Sequence, residues 1–501
     1  MIFNLISLKN YESKIDEYSF DDLGLKTLFD DFYDHNWQDL YQVMEYIVPL
    51  EEIKKRQAIF SDFLEDKEEQ LKTFKRALEE LRDAYKNYLS IDGGLKSYLL
   101  FVQYMEKLIS FIDKGNEILS NMNLNADEMI NMRTFFANKE KEEAFIKLKD
   151  DFKDAMLACQ KMGEMMVSYV TGDNFIKTAK VKEGNIDLLK SIEDLMDRLG
   201  IQRIEKEANL TRHDLDAYYF NRLDYIYPNE SKILKSFFDK YNDKFKYDYD
   251  TLSTELNFYL KIKLLFDYAL EKNVLYSKAE FNDEYNTDMY DLSDITIINK
   301  VDYIQSNDFH YDLYHHTQIV TGANGGGKTT YLRSIGANYI FFSTLGYTFS
   351  KKASIKPIKY LCTHFPNDEN YQVGYGRLQD EIKRIDMVRN KLCKDCLYLM
   401  NETFSSTDED TAFKESKKLF KELDEKEVNV IFITHQQLLL QYIDKDKVIL
   451  LNPIVDVDDN NRRTFKIRRV DKEIHAFAND ILRKYGLSKE ILDKKRREKD
   501  V

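Results

Sequence analysis

The chain carries no proline between Pro49 and Pro228, and its apolar residues there recur at helical spacing. One example is an apolar stripe at steps of three or four residues, formed by Leu71, Phe74, Leu78, Leu81, Tyr85 and Leu89. Such a stripe is more often the core face of a helix than an interface. We therefore predict long helices here, with turns at Asp92–Gly94 and Met122–Asn125, where the pattern breaks.

From about residue 295 the pattern changes to short β-rich runs between turns and helical segments, which is typical of an α/β sheet. Three apolar runs have the length of buried parallel strands, and each leads into a polar residue: 318–321, 396–400 and 429–434. Ligands of open α/β sheets bind outside the carboxyl ends of the strands. We therefore predict a helical region followed by an α/β domain, with the three strand ends at one site.

The first run is followed by the sequence GANGGGKT, residues 322–329, and then by a predicted helix at 330–335. This is a complete P-loop pattern, whose glycines let backbone N–H groups face phosphate oxygens at a helix N-terminus. Lys328 would reach the β and γ phosphates, and the Thr329 hydroxyl would bind Mg²⁺. The pattern predicts ATP and Mg²⁺ as cofactors, with nucleotide contacts from Gly322, Ala323, Asn324, Gly325, Gly326, Gly327, Lys328, Thr329 and Thr330.

The other two runs end in residues suited to ATP hydrolysis. The second ends at Asn401 and Glu402, where a Walker B strand normally presents an Asp for Mg²⁺ and then a Glu that activates water. Asn401 is the neutral analogue of that Asp and would act on Mg²⁺ through water. The third ends at His435, which could contact the γ-phosphate or the attacking water. Glu402 or His435 alone would more often be structural, but their order after a P-loop favours catalytic roles.

Composition sets broader limits. A chain of 501 residues exceeds what one core organises, so at least two domains are expected. The four cysteines are too sparse to crosslink so long a chain, which fits a reducing compartment. Cys393 and Cys396 have metal-ligand spacing, but no second pair stands at zinc-finger spacing, so we interpret them as strand-edge residues and not as zinc ligands. No apolar stretch is long enough for a bilayer, so we expect a cytoplasmic protein with no membrane partner.

The net charge of −14 argues against a surface that binds nucleic acid everywhere. Basic residues gather late in the chain, within residues 462–469 and 494–497, but such runs are more often a solvated tail.

Together these segments resemble the MutS family of DNA-repair ATPases. Residues 321–330, TGANGGGKTT, are similar to the family's TGxNxGGKST, whereas 399–407 and 432–435 resemble its Walker B and switch strands. Residues 475–478 and 484–487 resemble the segment that closes the ATPase domain and packs the dimer. Residues 53–57 and 255–260 are weaker matches to the lever helices.

The resemblance implies an ABC-type ATPase domain that works as a homodimer on DNA. The regions implied are a helical core at 1–115, lever helices at 116–295 and a P-loop ATPase domain with dimer-packing helices at 296–501. We expect neither the family's Phe-based mismatch reading nor an intrinsic nuclease, because the helical start and the end soon after the ATPase closure leave no place for those modules. Gly376 stands where the family has a serine that acts on the nucleotide of the partner subunit. Because glycine has no hydroxyl, backbone N–H groups and Arg377 would contact the γ-phosphate bound by the partner instead.

Two other functions stay open from the sequence. The substitutions at Asn401 and Gly376 would also suit a nucleotide-gated scaffold that binds ATP with little or no turnover. A P-loop kinase would need a lid with phosphate-binding arginines, and the long helical region and the histidine strand end make it improbable.

Overall fold

The computed structural model describes most of the chain, with several gaps. The described residues are 5–6, 11, 13–16, 18–65, 68–90, 93–163, 168–172, 175–181, 184–186, 220, 223–282, 286–311, 315–322, 324–366, 377–444, 446–456 and 462–470.

Helices and strands alternate in the later half of this part of the chain, whereas helices dominate the earlier half. The helices are α1 (Ser19–Asp22), α2 (Leu25–Tyr33), α3 (Gln38–Met44), α4 (Leu50–Leu64), α5 (Glu68–Leu89), α6 (Gly94–Ser120), α7 (Asp127–Lys141), α8 (Glu143–Gly163), α9 (Pro228–Tyr241), α10 (Tyr249–Glu271), α11 (Lys328–Leu345), α12 (Arg377–Arg389), α13 (Glu409–Glu425) and α14 (Gln437–Tyr442). The strands are β1 (Ser168–Gly172), β2 (Phe175–Val181), β3 (Gly184–Ile186), β4 (Ser277–Lys278), β5 (Glu280–Phe281), β6 (Thr287–Leu292), β7 (Asn307–Tyr311), β8 (Thr317–Val320), β9 (Tyr347–Thr348), β10 (Lys352–Ile355), β11 (Tyr360–His364), β12 (Cys396–Asn401), β13 (Asn429–Ile433), β14 (Val448–Asp456) and β15 (Arg462–Arg469).

The chain forms two compact units. One comprises Met1–Leu5 with Glu65–Asn257, and the other comprises Ile6–Leu64 with Phe258–Val501. Their limits do not coincide with the predicted boundaries after residues 115 and 295, because compact units depend on contacts between distant segments that local patterning does not reveal. The functional division into core, levers and ATPase stays a prediction.

The first unit is mainly helical, as the periodicity predicts. In α5 the stripe residues Leu71, Phe74, Leu78 and Leu81 are almost completely buried. Burying a side chain of this size stabilises the fold by about 1.5–3 kcal/mol, which is more than the roughly 1 kcal/mol over which the helix propensities of residues other than proline differ. The predicted turns lie where α5 gives way to α6 and α6 to α7. The antiparallel strands β1, β2 and β3 were not predicted, since they fall within a region assigned to lever helices.

The second unit contains the predicted α/β sheet. Its strand order is β11-β12-β13-β8-β14-β15, and all neighbours are parallel except β14 and β15. A four-stranded sheet, β5-β10-β6-β7, and the pair β4-β9 belong to the same unit. Strands therefore begin at Ser277, earlier than the predicted change near residue 295. In β6 only Thr287 and Met289 are buried at a two-residue spacing before the register shifts ahead of Leu292, so the alternation is too short to identify a strand from the sequence.

A buried ion pair fastens the start of the second unit to its sheet. Asp22 Oδ2 lies 2.7 Å from Arg384 Nη2 on α12 and accepts a hydrogen bond of 2.6 Å from the Thr363 hydroxyl on β11. Arg384 Nη1 also donates to the Phe365 carbonyl at 2.8 Å. Burial raises the pKa of Asp22, and the Arg384 charge opposes that rise. Removing either partner would leave a buried charge uncompensated, so the pair fixes the position of α12.

Two expectations from composition concern metals and membranes. Cys396 is buried at the start of β12, with its Sγ 3.3 Å from the Sγ of Cys393. The described segments contain no cluster of three or more His, Cys, Asp or Glu side chains arranged to hold a metal ion. None of the helices in those segments combines the length and hydrophobicity that a bilayer crossing requires.

Candidate nucleotide site

The carboxyl ends of three central strands lie side by side. Asn401 of β12 is opposite Ile433 of β13, and Ile433 is opposite Val320 of β8. The residues that follow these positions therefore leave the sheet along one edge. This arrangement confirms the expected convergence of the three strand ends.

The P-loop connects β8 to α11 through a tightly curved backbone. Gly322 has φ 114°, and a methyl group on it would lie 2.9 Å from Pro453 Cδ, so this position requires glycine. The helix begins at Lys328, followed by Thr329 and Thr330, which are half-buried in its first turn. The predicted contact Ala323 lies outside the described residues.

Lys328 is buried and bonds to its own loop. Its Nζ donates to the Gly322 carbonyl at 2.8 Å and to Asn324 Oδ1 at 3.2 Å. Burial lowers the pKa of Lys328, while the Glu402 carboxylate acts in the opposite direction. The loop thus holds a cation at its centre, close to the carboxylate at the end of β12.

Asn324 links the P-loop to the predicted sensor histidine. Its Oδ1 lies 2.9 Å from His435 Nε2, and the same nitrogen lies 3.6 Å from Glu402 Oε1. Burial lowers the pKa of His435, and the Lys328 charge lowers it further, so the ring is neutral near pH 7. Asn324 Oδ1 already accepts a hydrogen bond from Lys328, and since this oxygen can only accept, the neutral ring carries its hydrogen on Nε2 and donates to Oδ1. The structure therefore brings Lys328, Asn324, His435 and Glu402 together.

Glu402 is held by a strained turn after β12. Its φ is 50°, Phe404 has φ 63°, and both values are uncommon for residues with side chains. The Glu402 N–H donates to the Ile433 carbonyl at 2.8 Å, and the Phe404 N–H donates to Glu381 Oε2 at 2.7 Å. The side chain of Glu402 is 34% exposed, so water can reach it while the backbone stays fixed.

Asn401, the residue before Glu402, carries an acceptor that no described donor uses. The residue is buried at 8% exposure, and its Oδ1 has no hydrogen-bond partner in the described structure. A buried polar atom without a partner costs free energy unless something binds it. An amide oxygen at this strand end suits a Mg²⁺-bound water, so the residues present fit a magnesium ion held with the Thr329 hydroxyl.

Sequence reasoning missed a second histidine at this edge of the sheet. His364 ends β11, one strand beyond β12, and its Nδ1 lies 2.9 Å from the Thr403 hydroxyl. Burial lowers its pKa to about 3, so the ring is neutral. Gln436 Nε2 donates to the Thr403 carbonyl at 3.0 Å, so two side chains position the residue after Glu402. In the sequence, the only indication of this residue is that the run YLCTH, residues 360–364, ends in a histidine.

The structure describes only part of the segments that are expected to act across a dimer. Arg377 is the first residue of α12, but its side chain and the preceding residues 367–376 lie outside the described part of the chain. The segments at 475–478 and 484–487 also lie outside it. Their roles stay predictions.

Comparison with known proteins agrees with the geometry in this part of the chain. No curated protein matches the sequence. Residues 318–497 match the family model of MutS domain V, the ATPase domain of the MutS family. The match includes the P-loop, the strand ending at Asn401 and the strand before His435, so this part of the chain is similar to MutS domain V.

Proposed function

We propose that this protein binds ATP and hydrolyses it as a MutS-like ATPase. The observation that carries the proposal is the set of contacts joining Lys328, Asn324, His435 and Glu402 at the carboxyl edge of a parallel sheet. A lysine in a glycine-rich loop suits phosphate, and a carboxylate reached by water suits hydrolysis. The family match covers all four residues.

Each residue at this edge receives a role from its position. The loop residues 322–330 would hold the phosphates, with Lys328 as the fixed charge, while Thr329 and Asn401 would hold Mg²⁺. Mg²⁺, when bound, would supply charge neutralisation on the phosphate oxygens. Glu402 would orient the attacking water and accept its proton. The neutral His435 would donate a hydrogen bond to the γ-phosphate or to that water in place of Asn324.

The proposed working form is a homodimer. The γ-phosphate in a P-loop of this kind faces outward on one side, and a second copy of the chain would cover it. In the partner, the start of α12 would supply backbone N–H groups and Arg377, since Gly376 has no hydroxyl to offer. Closure on ATP and release on hydrolysis would gate a clamp, with the helices of residues 116–295 as levers.

Asn401→Asp is expected to lower the Mg²⁺ concentration that half-saturates hydrolysis by about tenfold. A hydrogen bond from a Mg²⁺-bound water to a carboxylate exceeds one to an amide by about 1–1.5 kcal/mol, which corresponds to that factor. The wild type should therefore hydrolyse ATP slowly and need more Mg²⁺ than the variant. Titrating Mg²⁺ against single-turnover hydrolysis measures both midpoints.

Asn121→Asp is a control that adds the same charge at an exposed position after α6. It should leave the Mg²⁺ midpoint unchanged. An unchanged midpoint in Asn401→Asp as well would show that Asn401 does not face the ion.

DNA is the partner we propose, in a role in repair or recombination that does not use Phe-based mismatch reading. The net charge of −14 means that only a minority of the Lys and Arg residues can form the binding groove. Affinity should then fall by about 100-fold between roughly 50 and 200 mM salt if about four phosphates are contacted. Electrophoretic mobility shifts across a salt series measure this slope.

The same assay can identify the preferred DNA structure. Duplex, mismatched, branched and single-stranded competitors should be compared with and without ATP at one salt concentration. Affinity that is insensitive to salt would contradict a groove that contacts phosphates.

A further inference from the structure

A basic strand lies against the P-loop. The sequence favours a solvated tail for the basic runs within residues 462–469 and 494–497. Arg462–Arg469 is instead strand β15, paired with β14 in the six-stranded sheet, and residues 494–497 lie outside the described part of the chain. Gly325 is next to Arg463 of this strand. A methyl group on Gly325 would lie 2.9 Å from Arg463 Cζ and 3.3 Å from Nη2, and it would collide with Nη1. The Arg463 guanidinium therefore occupies the space that a side chain at Gly325 would need.

The strand around Arg463 is firmly attached. The Phe465 carbonyl accepts a hydrogen bond of 3.1 Å from Asn307 Nδ2, and the Ile467 N–H donates to Asn307 Oδ1 at 2.7 Å. Lys466 Nζ donates to the Ser306 carbonyl at 2.6 Å. The Phe465 ring also lies beside the loop, 3.4 Å from the position of a methyl group on Gly327. These contacts keep β15 at the P-loop whatever Arg463 binds.

Arg463 differs from Lys466 and Arg468 of the same strand. Arg468 pairs with Asp308 at 3.3 Å, and Lys466 bonds to a carbonyl. Arg463 is an exposed residue, and its guanidinium has neither a hydrogen-bond acceptor nor an ion-pair partner among the described residues. A planar guanidinium with five N–H donors suits phosphate oxygens, which Lys328 alone would meet only as a point charge.

We propose that Arg463 is a second phosphate-binding cation of the nucleotide site, supplied by the same chain as Lys328. This inference rests on the proposed nucleotide function. Gly325 makes the contact possible, because any side chain there would push the guanidinium away from the loop. The site would then prefer nucleotides with longer phosphate chains, since each added phosphate brings negative charge toward the two cations.

Binding of ATP and ADP to the full chain tests this role, with fluorescent analogues displaced by each nucleotide. Arg463→Ala should weaken ATP binding by about tenfold and ADP binding by less, whereas Arg463→Lys should recover part of the loss. Arg469→Ala removes the same charge from an exposed position of the same strand and should change neither affinity. Thermal unfolding of each variant verifies that the fold is intact.

Gly325→Ala provides a second variant, in which the φ of 73° at this position also strains the backbone of the P-loop. It should weaken ATP binding, and adding Arg463→Ala to it should cause no further loss, because the guanidinium would already be displaced. Additive losses in the double variant would show that Gly325 and Arg463 act separately, and the proposed contact would be rejected.

These binding measurements also distinguish a failure of the role proposed for Arg463 from a failure of the proposed nucleotide function. If wild type binds ATP in a manner that depends on Lys328 but Arg463→Ala binds equally well, only the role of Arg463 is rejected. If wild type does not bind ATP, or Lys328→Ala binds it unchanged, the nucleotide function itself is rejected.

Discussion

Glu402→Gln is expected to lower the single-turnover rate of ATP hydrolysis by about 10²–10⁴-fold while ATP affinity changes by less than about threefold. The amide can still occupy the strained turn after β12, because the backbone N–H groups of that turn donate to the Ile433 carbonyl and to the Glu381 carboxylate. It cannot accept a proton from the attacking water. Rapid-quench measurement of labelled phosphate gives the rate, and equilibrium binding gives the affinity.

Glu409→Gln is the matched control, since Glu409 is an exposed carboxylate in the first turn of α13. Its hydrolysis rate should equal that of wild type. Light scattering adds a second readout, because Glu402→Gln should accumulate an ATP-bound dimer that wild type releases after turnover. Unchanged hydrolysis in Glu402→Gln would reject the catalytic assignment, and a strictly monomeric variant in ATP would count against the composite site.

Lys328→Ala should weaken ATP binding by about 100-fold, which corresponds to about 2.7 kcal/mol. Lys328 is the buried charge of the loop, and its present acceptors are the Gly322 carbonyl and Asn324 Oδ1. Alanine suits the first turn of α11, so the loss should come from the missing cation and not from unfolding of the helix. Fluorescent-nucleotide titration gives the dissociation constant.

Lys418→Ala removes a lysine from an exposed position on α13 and should bind ATP as wild type does. Thermal unfolding of both variants should show that the loss in Lys328→Ala does not come from a destabilised fold. Wild-type affinity in Lys328→Ala would overturn the assignment of the site.

The parts of the fold that sequence predicted are those with strong local patterns. The strands ending at Val320, Asn401 and Ile433 are continuous apolar runs, and a short apolar run between turns is typical of a buried parallel strand. The P-loop between β8 and α11 could be placed because its glycines and lysine have a fixed spacing. Long helices before residue 164 followed from apolar stripes such as that of α5.

The remaining features depend on contacts between distant segments. Asn324 and His435 are 111 residues apart, and nothing local to either residue indicates that they share a hydrogen bond. The approach of Arg463 to Gly325 likewise depends on how β15 pairs with β14, whereas the local pattern of Arg and Lys suggested a solvated tail. The ion pair between Asp22 and Arg384 links α1 to the second unit, a contact that periodicity alone could not indicate.

Single-turnover hydrolysis by the unmodified full chain, over a Mg²⁺ series and with and without DNA, tests the central claim most directly. The account predicts slow, Mg²⁺-dependent release of phosphate, because Glu402 can orient water although Asn401 lacks the charge of the usual Asp. Binding of ATP without phosphate release under any of these conditions would contradict an ATPase and favour the nucleotide-gated scaffold.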